Sequence, residues 1–124
     1  MNNDSGTDIN QLKLLVKKFS DDRDWDRYHN AKDLAIGIVT ESSELLQWFR
    51  FKSDNEVELL MKSREMRRQV GEELADTIYF VLRLAQRYNF DLTAELRKKI
   101  KKNETRYPVK TAKGSNKKYN ELPA

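Results

Sequence analysis

The run Leu74 to Ala85, "LADTIYFVLRLA", constrains the fold more than any other stretch of this sequence. The surrounding pattern predicts a long helix from about Ser63 to Tyr88. Its second half is apolar on almost every side, which makes it the central element, covered by other helices rather than lying on a surface. No segment alternates apolar and polar residues for long enough to predict a strand, so the expected class is all-α. A chain of 124 residues forms a single domain, here 1–124, with one modest core. The central helix needs more cover than so small a chain can supply, and oligomerisation by helix packing is expected.

The other helices follow from caps and spacing. Thr7 or Asp8 caps a first helix whose apolar positions are Ile9, Leu12, Leu15 or Val16, and Phe19, after a flexible stretch of about residues 1–6. It ends near Asp22. "RDWDRYHN", Arg23 to Asn30, then breaks the periodicity with aromatic, charged and amide groups, as functional loops do. Asn30 caps a second helix expected to run to Phe51, with a stripe of Leu34, Ile38, Leu45 and Phe49 weakened only by Gly37. "KSDN", Lys52 to Asn55, marks a reversal, and "EVELLMK" a short helix after it. A turn at Asn89 and a cap at Asp91 or Thr93 open a further helix that fades by Tyr107 and Pro108, giving four to five helices and an extended basic tail over about residues 107–124.

Composition removes several function classes. Without cysteine there is no disulfide framework, thiolate zinc site or cysteine nucleophile. His29 is the sole histidine, so a Ser-His-Asp triad has little support and a multi-histidine metal site within one chain is impossible. No apolar run approaches 18 residues and no secretory signal opens the chain, which predicts a soluble cytoplasmic protein without a membrane partner. Residues 97 to 118 hold ten Lys/Arg against one acid inside a net charge of only +4. The rest of the chain is therefore acidic, and the two parts have different work to do.

Acids interrupt the apolar stripes in a repeated way. Glu41 and Glu44 lie three apart in the second helix, and Glu73 and Asp76 repeat that spacing in the long one. Each pair shares a helix face. If the turn between the helices makes them antiparallel neighbours, the four carboxylates converge. Their mutual repulsion raises pKa values and destabilises the fold unless a cation compensates. Oxygen-only ligation selects hard ions, so Mg²⁺ is the expected occupant, with Mn²⁺ as a substitute. The chemistry implied is hydrolysis at phosphorus, in which the ion orients nucleotide phosphates and acidifies the attacking water. Glu56, Glu58 and Glu72 read instead as solvated surface acids.

The residues "RDWDRYHNAKDLAIGIVTESSELLQWF", "EELADTIYFVLRLAQRYNFDL" and "NETRYPVKTAKGSNKKYNEL" resemble the MazG-like all-α nucleoside triphosphate pyrophosphohydrolases, in particular the small dCTP pyrophosphatases. The resemblance implies hydrolysis between the α and β phosphates to a nucleoside monophosphate and pyrophosphate. It makes Glu41, Glu44, Glu73 and Asp76 the Mg²⁺ ligands, with the general base unassigned among the carboxylates. The substrate loop falls on Trp25, Asp26, Arg27, Tyr28 and His29, and Phe51 and Phe80 fall where aromatic rings line the base pocket. Phe80 stands in place of a tyrosine, Val16 where the nearest relatives can carry a histidine, and Thr40 where broader relatives often add an acid. Lys99, Asn103 and Arg106 share one helix face suited to phosphate oxygens, and equally to plain solvation. The implied assembly is a homotetramer, a dimer of dimers. The rival reading is a basic helical module that grips nucleic acid through residues 97 to 118 without turnover, against which the embedded acids argue.

Overall fold

The computed structural model describes residues 2–124. Among them there is no strand, and the order is α1 (Ile9–Asp21), α2 (Ala31–Gln47), α3 (Asp54–Lys62), α4 (Arg64–Arg87), α5 (Leu92–Arg106) and the single-turn α6 (Val109–Ala112). The chain divides into two compact units, residues 1–90 and 91–124.

In the first unit, α1, α2 and α3 each pack on α4. Local chemistry sets the starts of these helices. Asp8 caps α1 and Gln11 returns the bond to the Asp8 N–H, a reciprocal capping box. Asn30 accepts from the Asp33 N–H at 2.8 Å to open α2. Ser53 and Glu56 form a second box at α3, and Ser63 caps α4. Helix α4 stops in a Schellman motif, with Asn89 left-handed at φ 61° and the Phe90 N–H bonded back to the Ala85 carbonyl at 2.8 Å.

The apolar core is small, comprising Val16, Leu34, Val70, Leu82 and Ala85. Of the two candidates in α1, Val16 is buried and Leu15 faces outward. On α4, Leu74 and Ile78 stay about half exposed, and on α2 so do Ile36, Val39 and Leu46.

Three expectations need correction. Helix α2 ends at Gln47 rather than Phe51, because Trp48 and Phe49 bond three residues back, as in a tightened 3₁₀ turn, and Phe51 adopts a left-handed φ of 65° before α3 begins. Residue 1 of the N-terminal stretch lies outside the described residues, while Asp4–Gly6 is an ordered 3₁₀ turn capped by Asn3 rather than flexible chain. The C-terminal segment is not simply extended. It carries α6 and a 3₁₀ turn at Tyr119–Glu121, and within this second unit Tyr119 meets the Tyr107 ring edge-on at 6.0 Å with the Arg106 guanidinium 4.7 Å over its face.

Candidate active site

The seam between α2 and α4 positions the site. Gly37 of α2 faces Phe80 of α4 so closely that a Cβ at Gly37 would sit 2.5–2.7 Å from the phenyl carbons. One turn further along α2, Glu41 meets Glu73 and Asp76, one to two turns back along α4. Advancing on one helix while retreating on the other means that the two run antiparallel. Leu34, Gly37 and Glu41 are spaced three, four and seven apart, as are Glu73, Asp76 and Phe80, so each set shares a helix face along this seam.

At one end of the seam, Glu41, Glu73 and Asp76 offer carboxylate oxygens that lie within 4.8 Å of one another. Glu41 and Glu73 are half-buried and Asp76 is exposed. Burial, then a hydrogen bond and the charge of Glu44, then the charges of Asp76 and Glu73 push the Glu41 carboxyl up from 4.5 to about 7. Burial and the Glu44 carboxyl raise Glu73 in the same direction. Glu73 Oε2 is buried and has no hydrogen-bond partner, the only such side-chain atom among the described residues. An enclosed, unpaired carboxylate oxygen beside other acids is unstable unless something positive meets it. The donor set is all oxygen, so the cluster can hold a hard divalent cation. Glu44 stands on the exposed side of the cluster, close enough to perturb both glutamates.

Seven residues from Glu41 along α2, and so about 10 Å at 1.5 Å per residue, an open cleft of about 320 Å³ is lined by Trp25, Tyr28, His29, Asp33, Leu34 and Phe80. The loop that brings the first three is tied to the helices at several points. The Trp25 backbone N–H donates to the Ser20 carbonyl at 3.1 Å, and its ring meets the Phe19 ring edge-on at 5.6 Å. The Ser20 and Tyr79 hydroxyls are bonded at 3.0 Å, which directs Tyr79 to α1 and leaves Phe80 to the cleft. Asp26 and His29 turn inward to Arg83 of α4, a fully buried arginine that donates Nε–H to His29 Nδ1 at 2.9 Å, Nη2–H to Asp26, and Nη1–H to Gln86. The Arg83 hydrogen bond holds the Asp26 carboxyl below its usual range.

The structure thus gathers Glu41, Glu73 and Asp76 in one place and Trp25, Tyr28, His29 and Phe80 in another along the same seam. Asp26 anchors the loop instead of lining the cleft, and Arg27 faces outward, paired with Asp24. Phe51 lies outside the cleft, 89% exposed on the turn after α2, with the Arg50 guanidinium 4.5 Å over its ring. Lys99, Asn103 and Arg106 do fall on α5, in the second unit, where Arg106 stacks on Tyr119. Sequence reasoning passed over Gly37 as a weak spot and over Arg83 entirely. The signal for Arg83 was one fixed charge inside an otherwise apolar helical run.

The profile of the MazG-like family matches residues 36–122, which include all four carboxylates. The chain belongs to the MazG-like family. Over 115 residues it is 33% identical to dCTP pyrophosphatase 1 of Homo sapiens and to that of Mus musculus, an overlap of 93% of this chain and 68% of each relative. The crystal structure of a pyrophosphatase from Archaeoglobus fulgidus superposes with a TM-score of 0.75 at 32% identity, covering 81% of this MazG-like chain and 92% of that one. These relatives are named as pyrophosphatases, hydrolases of phosphoanhydride bonds, and the all-helical architecture expected from periodicity is the one shared with the archaeal structure. Among the described residues of this MazG-like protein, no helix is long and apolar enough to cross a membrane.

Proposed function

We propose that this protein is a Mg²⁺-dependent nucleoside triphosphate pyrophosphohydrolase that cleaves between the α and β phosphates, with dCTP and related deoxynucleotides as preferred substrates. The observation that carries the reading is the convergence of Glu41, Glu73 and Asp76, in which one oxygen of Glu73, Oε2, is buried without a hydrogen-bond partner. Glu41, Glu73 and Asp76 hold the ion, with Glu44 beside them, and Mn²⁺ substitutes for Mg²⁺ at such an oxygen site. When bound, the ion offsets phosphate charge and lowers the pKa of the attacking water. One carboxylate of the cluster takes that water's proton. The nucleoside lies in the neighbouring cleft, its base against the Trp25 and Phe80 rings, with Tyr28 and His29 at its edge. The seam places this cleft next to the acids, so a nucleotide lying along it brings its α-phosphate toward the carboxylates. On α5, the charges of Lys99 and Arg106 and the amide of Asn103 are suited to phosphate oxygens.

The assembly is a homotetramer, which supplies the cover that Leu74, Ile78, Val39 and Leu46 lack in one copy. Phe51 belongs to the same account. A non-glycine residue at positive φ with its ring in solvent is costly for a monomer, and the position is understandable if the ring completes the base pocket of a second copy. A panel of ribo- and deoxynucleoside triphosphates incubated with Mg²⁺ and resolved by anion-exchange chromatography tests the reaction. Nucleoside monophosphate and pyrophosphate are expected, fastest from dCTP, with no turnover in chelator. Diphosphate and orthophosphate as products would overturn the reaction class.

A further inference from the structure

Arg83 is 1% exposed, and a buried guanidinium with nothing to hold is expensive, so its partners indicate what it is for. It spends none of its donors on the acid cluster. Nη1 goes to Gln86 on its own helix, while Nε and Nη2 reach across to His29 and Asp26, both on the loop that walls the nucleotide cleft. Arg87 adds a second cation 3.9 Å from Asp26. The loop otherwise relies on short-range ties, including an Asp24 held at φ 54° and an outward Asp24–Arg27 pair.

The bond to His29 has a chemical consequence. A guanidinium N–H only donates, so His29 Nδ1 must accept and carries no proton. A neutral imidazole then bears its single proton on Nε2. Burial and the Arg83 charge both lower the pKa of this ring, with Asp26 and Asp33 opposing and Arg87 assisting Arg83, so the ring stays neutral near pH 7. None of the described residues bonds Nε2, and the ring lines the cleft edge-on to Trp25 at 5.9 Å.

We propose that Arg83 is a positioning residue for nucleotide recognition: it fixes His29 in the Nε2–H form and pins the loop through Asp26, so that the cleft presents one oriented donor to a hydrogen-bond acceptor of the bound nucleoside. The proposal rests on the nucleotide-hydrolase reading for the identity of the ligand, and on the Arg83 contacts alone for the state of His29. A site built to donate one hydrogen bond discriminates by leaving that donor unpaired when the ligand lacks the acceptor.

Because His29 is the sole histidine, a long-range ¹H–¹⁵N spectrum of the uniformly labelled protein at pH 7 reads its tautomer without ambiguity. The expected result is Nε2 protonated and Nδ1 bare, with the Nε2 resonance shifting when dCMP is added. A proton on Nδ1, an imidazolium, or a dCMP complex that leaves Nε2 unmoved would overturn the proposal. Arg83→Met, which cannot donate, is expected to give mixed tautomers and to raise KM about tenfold, the equivalent of one such bond, while kcat stays within about twofold. Arg83→Lys, which keeps the charge and one donor, is expected to restore part of the KM and serves if the methionine variant does not fold. Unchanged KM in both variants would overturn the role. The two readings fail separately: turnover with Nδ1 protonated refutes the Arg83 role and spares the enzyme, whereas an Nε2–H ring with no turnover of any nucleotide refutes the enzyme and with it the ligand.

Discussion

Glu41 sits where the requirements of folding and of chemistry oppose each other. Its carboxyl is raised from 4.5 to about 7, by burial first and then by the acids beside it, so the folded protein holds a proton there that the unfolded chain has released. Between those two values the native state binds more protons than the unfolded state, and metal-free stability must fall as pH rises through that window. Thermal unfolding in chelator is therefore expected to give a lower Tm at pH 7.5 than at pH 5, and saturating Mg²⁺ to flatten the difference. Glu41→Gln removes the titration and one of the like charges. It is expected to raise Tm in chelator at pH 7.5 while abolishing turnover, the pattern of a residue retained for function at a cost in stability. A lower Tm for that variant in chelator would show that the cluster does not strain the fold. These acids were legible in the sequence because charged residues at helical spacing inside an apolar stripe conflict with a core position. Arg83 was not. A lone charge in an apolar helix gives no hint of its partners, and His29 and Asp26 are more than fifty positions away in sequence.

Helices are where sequence was most informative, and their ends show why. Asp8, Asn30, Ser53, Ser63 and Asp91 all cap through side-chain oxygens, a local chemistry that is written into the sequence. The end of α2 had no such sign, since Trp48 and Phe49 continue the apolar period and only the reversal into α3 forces the chain to turn earlier. Gly37 shows the same limit. By propensity it is a weak helical residue, costing about 1 kcal/mol relative to alanine. In the folded protein its missing side chain is the space that the Phe80 ring occupies. Gly37→Ala should gain that propensity and lose more to overpacking, about 1–3 kcal/mol, for a net loss of roughly 1 kcal/mol in chemical denaturation, accompanied by a raised KM as Phe80 is displaced. Stabilisation by the full propensity difference with an unchanged KM would contradict the close approach.

For the molecule as a whole, the balance between buried and exposed apolar groups is the informative quantity. Among the described residues, five buried hydrophobic side chains make a slight core for a chain of this length, while Leu74 and Ile78, one turn apart on the helix that α1, α2 and α3 all contact, remain 53% and 46% exposed. Sedimentation at micromolar concentration is expected to give a tetramer, with Leu74→Glu and Ile78→Glu shifting it toward smaller species and losing activity together with assembly. A fully active monomer would remove the argument for a shared site. The need for cover could be read from the apolar circumference of α4. Which faces meet could not, because a stripe specifies burial and leaves its partner open. The central claim is that the α2–α4 carboxylates form the metal centre of a pyrophosphohydrolase, and the rate of pyrophosphate release from dCTP across a Mg²⁺ titration, for the wild type and for Glu73→Gln, tests it most directly. The expected result is a Mg²⁺-dependent rate in the wild type and a loss of about a thousandfold in the variant even at saturating metal. Equal rates for the two proteins, or undiminished release in chelator, would contradict it.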